Sequence, residues 1–260
     1  MTRRHTLTPE LRAFAETPDR YTRLSGDVTR FADERVCILE GATWAVVSGI
    51  AVEAHDVEPL LAEVRERIAA DKTVTWWIGP SARPPDLHGR LQELGLGEPA
   101  DRAPLLHCLA CTEPPAAGDA EVRRVETFEE FLAATEVMWD AFEAPPERRE
   151  RDRPHLQGQW DAARAAGVPV TFIAYVDDRP AGVGRSIYSE RGVFLIAGSV
   201  TPWARGRGVY RALVRARWDD AVTRGTPALV TEALPDTSYP ILKRLGFEDV
   251  CTMRRLEDFR

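Results

Sequence analysis

One stretch constrains the fold more than any other. Val193 to Val200 is an apolar, strand-like run, and Thr201-Pro202-Trp203-Ala204-Arg205-Gly206-Arg207-Gly208 is a tight loop carrying two glycines. Behind it Val209, Ala212, Leu213, Ala216 and Val222 keep a helical apolar stripe, which Gly225 is placed to end. The chain therefore turns from a strand into an amphipathic helix within a few residues. The first turn of such a helix has unpaired backbone N–H groups. The helix dipole makes that end positive, and glycines let the backbone come close to a ligand. Together these make a pyrophosphate cradle, to which Arg205 and Arg207 can add charge-assisted hydrogen bonds. Two other phosphate loops are excluded. No Gly-Lys-Ser/Thr occurs anywhere, so there is no Walker loop. Gly206 and Gly208 are followed by Arg211 where a dinucleotide-binding loop needs its third glycine.

The flanking sequence supplies a sheet for this unit. Val170 to Val176, Ala181 to Ser189 and Val193 to Val200 are separated by Asp177-Asp178-Arg179-Pro180 and Ser189-Glu190-Arg191-Gly192, which predicts three consecutive antiparallel strands. Before them, Phe128, Phe131, Leu132, Thr135, Met138, Trp139 and Phe142 recur at helical spacing, and a polar helix is expected from about His155 to Ala166. The charged stretch Pro145 to Pro154 lies between. After the loop come a strand at Ala228 to Thr231, a short helix at Tyr239 to Leu245 closed by Gly246, and final strands in Phe247 to Leu256.

Glu113-Pro114-Pro115-Ala116-Ala117-Gly118-Asp119 separates this region from an earlier one, so two domains are expected, 1–115 and 119–260. The earlier region has a fainter version of the same order. Val36 to Leu39, Trp44 to Val52 and Val74 to Ile78 read as strands, and Val57, Leu60, Leu61, Val64 and Ile68 form one helix face. Leu87-His88-Gly89-Arg90-Leu91-Gln92-Glu93-Leu94-Gly95-Leu96 resembles Ile241-Leu242-Lys243-Arg244-Leu245-Gly246-Phe247. The first half thus reads as a diverged copy of the second, against the background that short apolar helices ending in Leu-Gly are common. The expected fold class is α/β (α+β), a mixed and mostly antiparallel sheet flanked by helices.

Composition sets the outer limits. With 260 residues and 44% apolar side chains, both halves can bury cores without disulfides or metals. A balance of 34 basic against 41 acidic residues, net −7, argues against a general nucleic-acid binder. The most apolar run, Thr43 to Val52, is about half the ~20 residues of a membrane span. Met1 to Tyr21 is charged and has no apolar signal core. A cytoplasmic protein with no membrane partner is expected. Cys108 and Cys111 form a lone C-x-x-C beside His107, inside a strand-like run. Positions three apart in a strand face opposite ways, so these thiols read as small core residues and no metal site is expected.

The loop and its surroundings resemble the GNAT superfamily of acyl-CoA-dependent acyltransferases. Their pattern is a strand, Val-x-Pro, then Arg/Gln-x-x-Gly-x-Gly/Ala opening a helix. Val200-Thr201-Pro202 matches the first part, and Arg205, Gly206, Arg207 and Gly208 match the second. Tyr210 stands at the last Gly/Ala position. Leu245-Gly246-Phe247 matches the short helix that ends in Leu-Gly-Phe. The resemblance covers about residues 119–260 and implies the GNAT fold there, with the first half a degenerate GNAT-like copy in tandem. In that copy Ala51-Val52-Glu53-Ala54-His55-Asp56 has no glycine and two acids, which would repel a pyrophosphate.

The resemblance implies an acetyl-CoA-dependent N-acyltransferase that moves an acetyl group directly to a primary amine of a small molecule or protein. The donor is acetyl-CoA and no metal is required. Val200, Arg205, Gly206, Arg207, Gly208, Val209 and Tyr210 are the implied cofactor-binding residues, with the Val200 N–H polarising the thioester carbonyl. Many family members place an acid, tyrosine, four residues before the glycine of Leu-Gly-Phe. Here that position is Leu242, which donates no proton. Tyr239 and Ser238, about one turn earlier, are the substitutes, and Glu232, at the end of a strand, is the candidate base. Asp140 and Glu143 are alternatives for holding a cationic acceptor. Trp76, Trp77, Pro80, Pro84 and Pro85 either line an acceptor cleft or form core and rigid turn. The missing tyrosine keeps open a second reading, a non-catalytic protein that binds and senses acyl-CoA. The expected partners are CoA and an amine acceptor, and the chain is read as a monomer or a homodimer.

Overall fold

A computed structural model describes residues 7–99 and 103–259; the first six residues of the charged N-terminal stretch lie outside them. The strands are β1 (Thr29–Ala32), β2 (Cys37–Glu40), β3 (Trp44–Ser48), β4 (Thr73–Ile78), β5 (Leu105–Cys111), β6 (Glu121–Arg124), β7 (Val170–Val176), β8 (Arg179–Ser189), β9 (Gly192–Val200), β10 (Leu229–Ala233) and β11 (Glu248–Asp258). The helices are α1 (Pro9–Glu16), α2 (Val57–Arg67), α3 (Leu87–Glu93), α4 (Phe128–Ala141), α5 (Pro146–Asp152), α6 (Leu156–Ala166), α7 (Val209–Thr223) and α8 (Ser238–Arg244).

All the strands join one mixed sheet in the order β1-β2-β3-β4-β11-β5-β10-β9-β8-β7-β6. Among the described residues only β3–β4 and β9–β10 pair in parallel. The order shows an exchange. β5 closes the first half in sequence, yet it lies antiparallel to β10 of the second. β11 closes the second half and lies antiparallel to β4 of the first. The two exchanged strands pair with each other along Leu105–Ala110 and Glu248–Arg254. A bidentate ion pair reinforces the crossing, with Arg65 of α2 donating to Asp258 of β11 at 2.7 and 3.0 Å.

Local chemistry explains the elements that position the site. The Thr127 hydroxyl accepts from Glu130 N–H while the Glu130 carboxylate accepts from Thr127 N–H, a capping box that starts α4. α4 buries Phe131, Ala134, Val137 and Trp139 against Ile173 and Val183 of the sheet. α7 packs Val209, Leu213, Val214 and Trp218 on the opposite face, over Phe172 and Leu195. α1 lays Leu11 and Phe14 across Ala110, Phe194 and Val230, the centre of the exchanged region. In the first half α2 and α3 cover Val47, Val74 and Trp76.

Two expectations shift, and one open choice is decided. Trp44 to Val52 reads as one strand, but β3 stops at Ser48 because Gly49 turns the chain with φ +58°. The charged stretch after Pro145 is a helix, α5, latched to α4 by Arg149–Asp140 at 2.8 Å, and Arg153 in the 3-10 turn that follows adds Arg153–Glu136 at 2.9 Å. Trp76 is fully buried core, and Trp77 lies under the Arg255 guanidinium at 5.6 Å.

Candidate active site

β9 and β10 pair only from Leu229↔Val193 to Thr231↔Leu195. Beyond that point Ile196–Val200 and Glu232–Ala233 run on without pairing to each other, which opens a wedge in the sheet. A bulge steers β9 away. Two steps on β8, Arg185 to Val183, are matched by three on β9, Ile196 to Ser199, with Ala197 at φ +49°. Gly198 is required there, because a Cβ would stand 2.8 Å from the Tyr210 ring. Thr201 N–H donates to Ala181 on β8 at 2.9 Å. Backbone groups alternate sides along a strand, so Val200 turns its N–H into the wedge.

At the mouth of the wedge the chain forms a 3-10 turn at Pro202–Ala204 and then the Arg-Gly-Arg-Gly loop. Gly206 and Gly208 have φ of +78° and +76°, a left-handed backbone that a side chain would strain. Gly208 caps α7, whose first-turn N–H groups have no intrahelical acceptors. Arg205 and Arg207 are exposed beside it. Arg205 reaches Ala141 O at 3.3 Å, and Arg207 pairs with Asp177 at 2.9 Å. Val209 is buried in the core. Tyr210 lies on Gly198 and interacts with Arg217, so it forms the floor beneath the loop. Of these residues, 206 and 208 to 210 offer backbone to a ligand, and the two arginines offer charge.

Glu232 sits just past the last parallel pair, opposite Cys108 of β5. Burial raises its pKa to about 8, and the Asp19 carboxylate pushes the same way. Asp19 follows α1 in the N-terminal segment, and burial raises its own pKa to about 6. Nothing in the sequence near Asp19 marks it as part of a site. Ser238 uses its hydroxyl to accept from Leu234 N–H at 2.9 Å, which holds the turn before α8. Tyr239 stacks on His107, ring centroids 4.1 Å apart, and its hydroxyl interacts with Asp249. Leu242 is fully buried in the α7-side core. Its carbonyl accepts from Phe247 N–H at 3.1 Å, closing α8. Leu91 does the same for Leu96 at 3.0 Å after α3.

Two clefts adjoin the wedge. One, about 490 Å³, is bounded by Asp140, Glu143, Arg149, Pro202 and Trp203 beside the loop. The other, about 800 Å³, lies on the α4 face, and Asp19 and Ile196 reach it from the wedge side. The Cys108 and Cys111 thiols diverge as the strand requires: Cys108 interacts with Cys251, while Cys111 donates to Glu113 O at 3.1 Å. Among the described residues there is no group of three or more His, Cys, Asp or Glu that could hold a metal. No helix among them is long and apolar enough to cross a membrane.

No protein-family model matches the chain, and no curated protein matches it in sequence. Solved structures do match it in shape. A GCN5-related N-acetyltransferase from Kribbella flavida superposes with a TM-score of 0.67 at 18% identity, covering 97% of this chain and 96% of the other. A tandem GNAT protein from the clavulanic acid biosynthesis pathway gives 0.61 at 14% identity, covering 95% and 87%. A conserved protein of unknown function from Staphylococcus epidermidis gives 0.66 at 14% identity, covering 94% and 97%. The chain has the GNAT fold. The likeness spans both halves, and the wedge and loop described above belong to the second.

Proposed function

We propose that the chain is an acetyl-CoA-dependent N-acyltransferase, a tandem GNAT whose second half, 119–260, binds the acyl donor while the first half, 1–115, is a copy without a cofactor loop. The observation that carries this reading is the open wedge. It holds the Val200 N–H inside and the glycine-turned N-terminus of α7 at its mouth.

Acetyl-CoA supplies an activated thioester. The loop N–H groups and Arg205 and Arg207 bind its pyrophosphate. The Val200 N–H stabilises the carbonyl oxygen as negative charge develops there. Glu232, once ionised, removes a proton from the acceptor's ammonium group, and the free amine attacks the carbonyl carbon. The new C–N bond forms as the C–S bond breaks. The thiol has a pKa of roughly 8–9, so the thiolate leaves without a strong acid. Ser238 and Tyr239 support the turn that follows β10, and in this reading neither has to donate a proton.

The test is release of CoA thiol from acetyl-CoA in the presence of a panel of primary amines, with Glu232→Gln beside the wild type. Amine-dependent release that falls in the variant is the expected result. Tight acetyl-CoA binding with no turnover by any amine would instead favour a protein that binds and senses acyl-CoA, the reading that buried Leu242 supports.

A further inference from the structure

The 800 Å³ cleft on the α4 face has a floor of Arg185, Ile187, Phe194 and Ile196, and Trp160 and Arg164 of α6 on one wall. Arg185 is the unusual member. It occupies an inward position of β8 between Val183 and Ile187, directly across from Ile196. Its Nε is shut off from water and has no hydrogen-bond acceptor. Burial moves its pKa downward, and among the described residues no acid pairs with it. Its closest aromatic contact is the Phe131 ring at 6.0 Å. Arg164, by comparison, donates to Glu126 O at 3.3 Å and lies over the Trp160 ring. Arg185 is half-buried, so the rest of its guanidinium faces the cleft, and a buried N–H without a partner together with a positive charge at a cleft floor favours an anionic ligand there.

The other end of the cleft carries a carboxylate, with the Arg30 cation near it. Asp19 is on its wall, close enough to Glu232 to act on its ionisation. Arg185 on β8 and Glu232 on β10 have β9 between them, so their backbones are at least two strand spacings apart, upward of roughly 10 Å where the wedge opens, and both side chains stand on the same face. We propose that the acceptor is an amine that also carries a carboxylate, an amino-acid-class molecule. Its carboxylate pairs with Arg185, its amine lies between Asp19 and Glu232, and an apolar side chain rests among Phe131, Trp160 and Phe194. The fate of the amine rests on the acyltransfer reading; recognition of the carboxylate does not.

Matched pairs test this by calorimetry on the protein without acetyl-CoA: phenylalanine against 2-phenylethylamine, and leucine against 3-methylbutylamine. In each pair the two members differ by the carboxylate. The acids are expected to bind at least about tenfold tighter, a preference of roughly 1.4 kcal/mol. Arg185→Met should abolish the preference and leave acetyl-CoA affinity intact, and Arg185→Lys should keep part of it. Because Arg185→Met removes a buried, unsatisfied Nε, it should melt no lower than the wild type. Should it fail to fold, Arg185→Gln takes its place. Equal binding of acid and amine, no binding by either acid, or a preference that survives the loss of Arg185 overturns the proposal. Thiol release measured in the same samples separates the two readings. Arg185-dependent binding of acids without turnover removes the acyltransfer reading alone. Turnover of the plain amines as efficient as that of the acids removes this inference alone.

Discussion

The first half contains a parallel pair, β3–β4, in register from Trp44↔Thr73 to Val47↔Trp76, the counterpart of β9–β10 in the second. The continuations differ. After β3 the chain is stitched shut: Arg83 N–H donates to Ile50 O at 2.9 Å, and Val52 N–H donates to Arg83 O at 3.3 Å. After β9 no such strap exists among the described residues, and the wedge stays open. The turns into the helices differ too. The 3-10 turn Ala54–Asp56 runs directly into α2 at Val57, whereas four residues, Arg205 to Gly208, separate Pro202–Ala204 from α7. Just past the last parallel pair stand Trp77 in the first half and Glu232 in the second. A strand, a helix and a crossover are therefore not enough for a donor site. An unpaired strand end, two left-handed glycines and a buried carboxyl distinguish the half that we propose takes the donor.

Replacing Glu232 is the sharpest way to break the comparison, since Trp77 cannot do its chemistry. Glu232→Gln should lower turnover by about 10²–10⁴, the usual worth of a general base. Because the pKa is about 8 and the base form is the ionised one, wild-type turnover should rise about tenfold per pH unit up to pH 8 and then level. Stability should run the other way. The folded carboxyl holds its proton up to about pH 8, while the unfolded one releases it near 4.5. Folded stability from this group is therefore present below about 4.5 and lost as pH rises to 8. Glu232→Gln should flatten that decline, read from melting temperatures at pH 5 and pH 8.

Gly208→Glu makes the open loop resemble the acidic segment before α2. It places a carboxylate at a left-handed position at the start of α7. Acetyl-CoA affinity should fall about 100-fold, roughly 2.7 kcal/mol, with the folded spectrum retained. The two leucines that close α8 and α3 sharpen the likeness instead. Leu242→Ala and Leu91→Ala should each cost about 2–5 kcal/mol in denaturant unfolding, as fully buried core leucines do. Leu242→Tyr should destabilise by about 1–3 kcal/mol through overpacking and give no gain in rate. Arg65→Ala tests the tie between halves. Loss of its charged hydrogen bonds to Asp258 should cost about 1–3 kcal/mol.

Much of this was legible in the residues. The strand, glycine loop and helix of 193–222 have strong periods and a turn that admits few solutions, and the Leu-Gly endings of α3 and α8 close in the same way. The strand exchange was not legible. β5 and β11 are both antiparallel partners that can pair with either half's parallel pair, and nothing in their order of side chains names a neighbour. The cluster at 147–153 reads as a solvated helix start, and its place as a separate helix was not legible because it has no apolar stripe; ion pairs to α4 hold it. Asp19 carries no signal in a charged N-terminal segment and becomes part of the site only through folding. Arg185 did leave a trace, a lone charge at an inward position of the apolar run from Ala181 to Ser189.

The central claim is that one wedge takes the donor and the other is closed. Calorimetric titration of the intact chain with acetyl-CoA reads this as a stoichiometry. One site per chain, lost in Gly208→Glu, is the predicted result. Two sites per chain, or none, would contradict it.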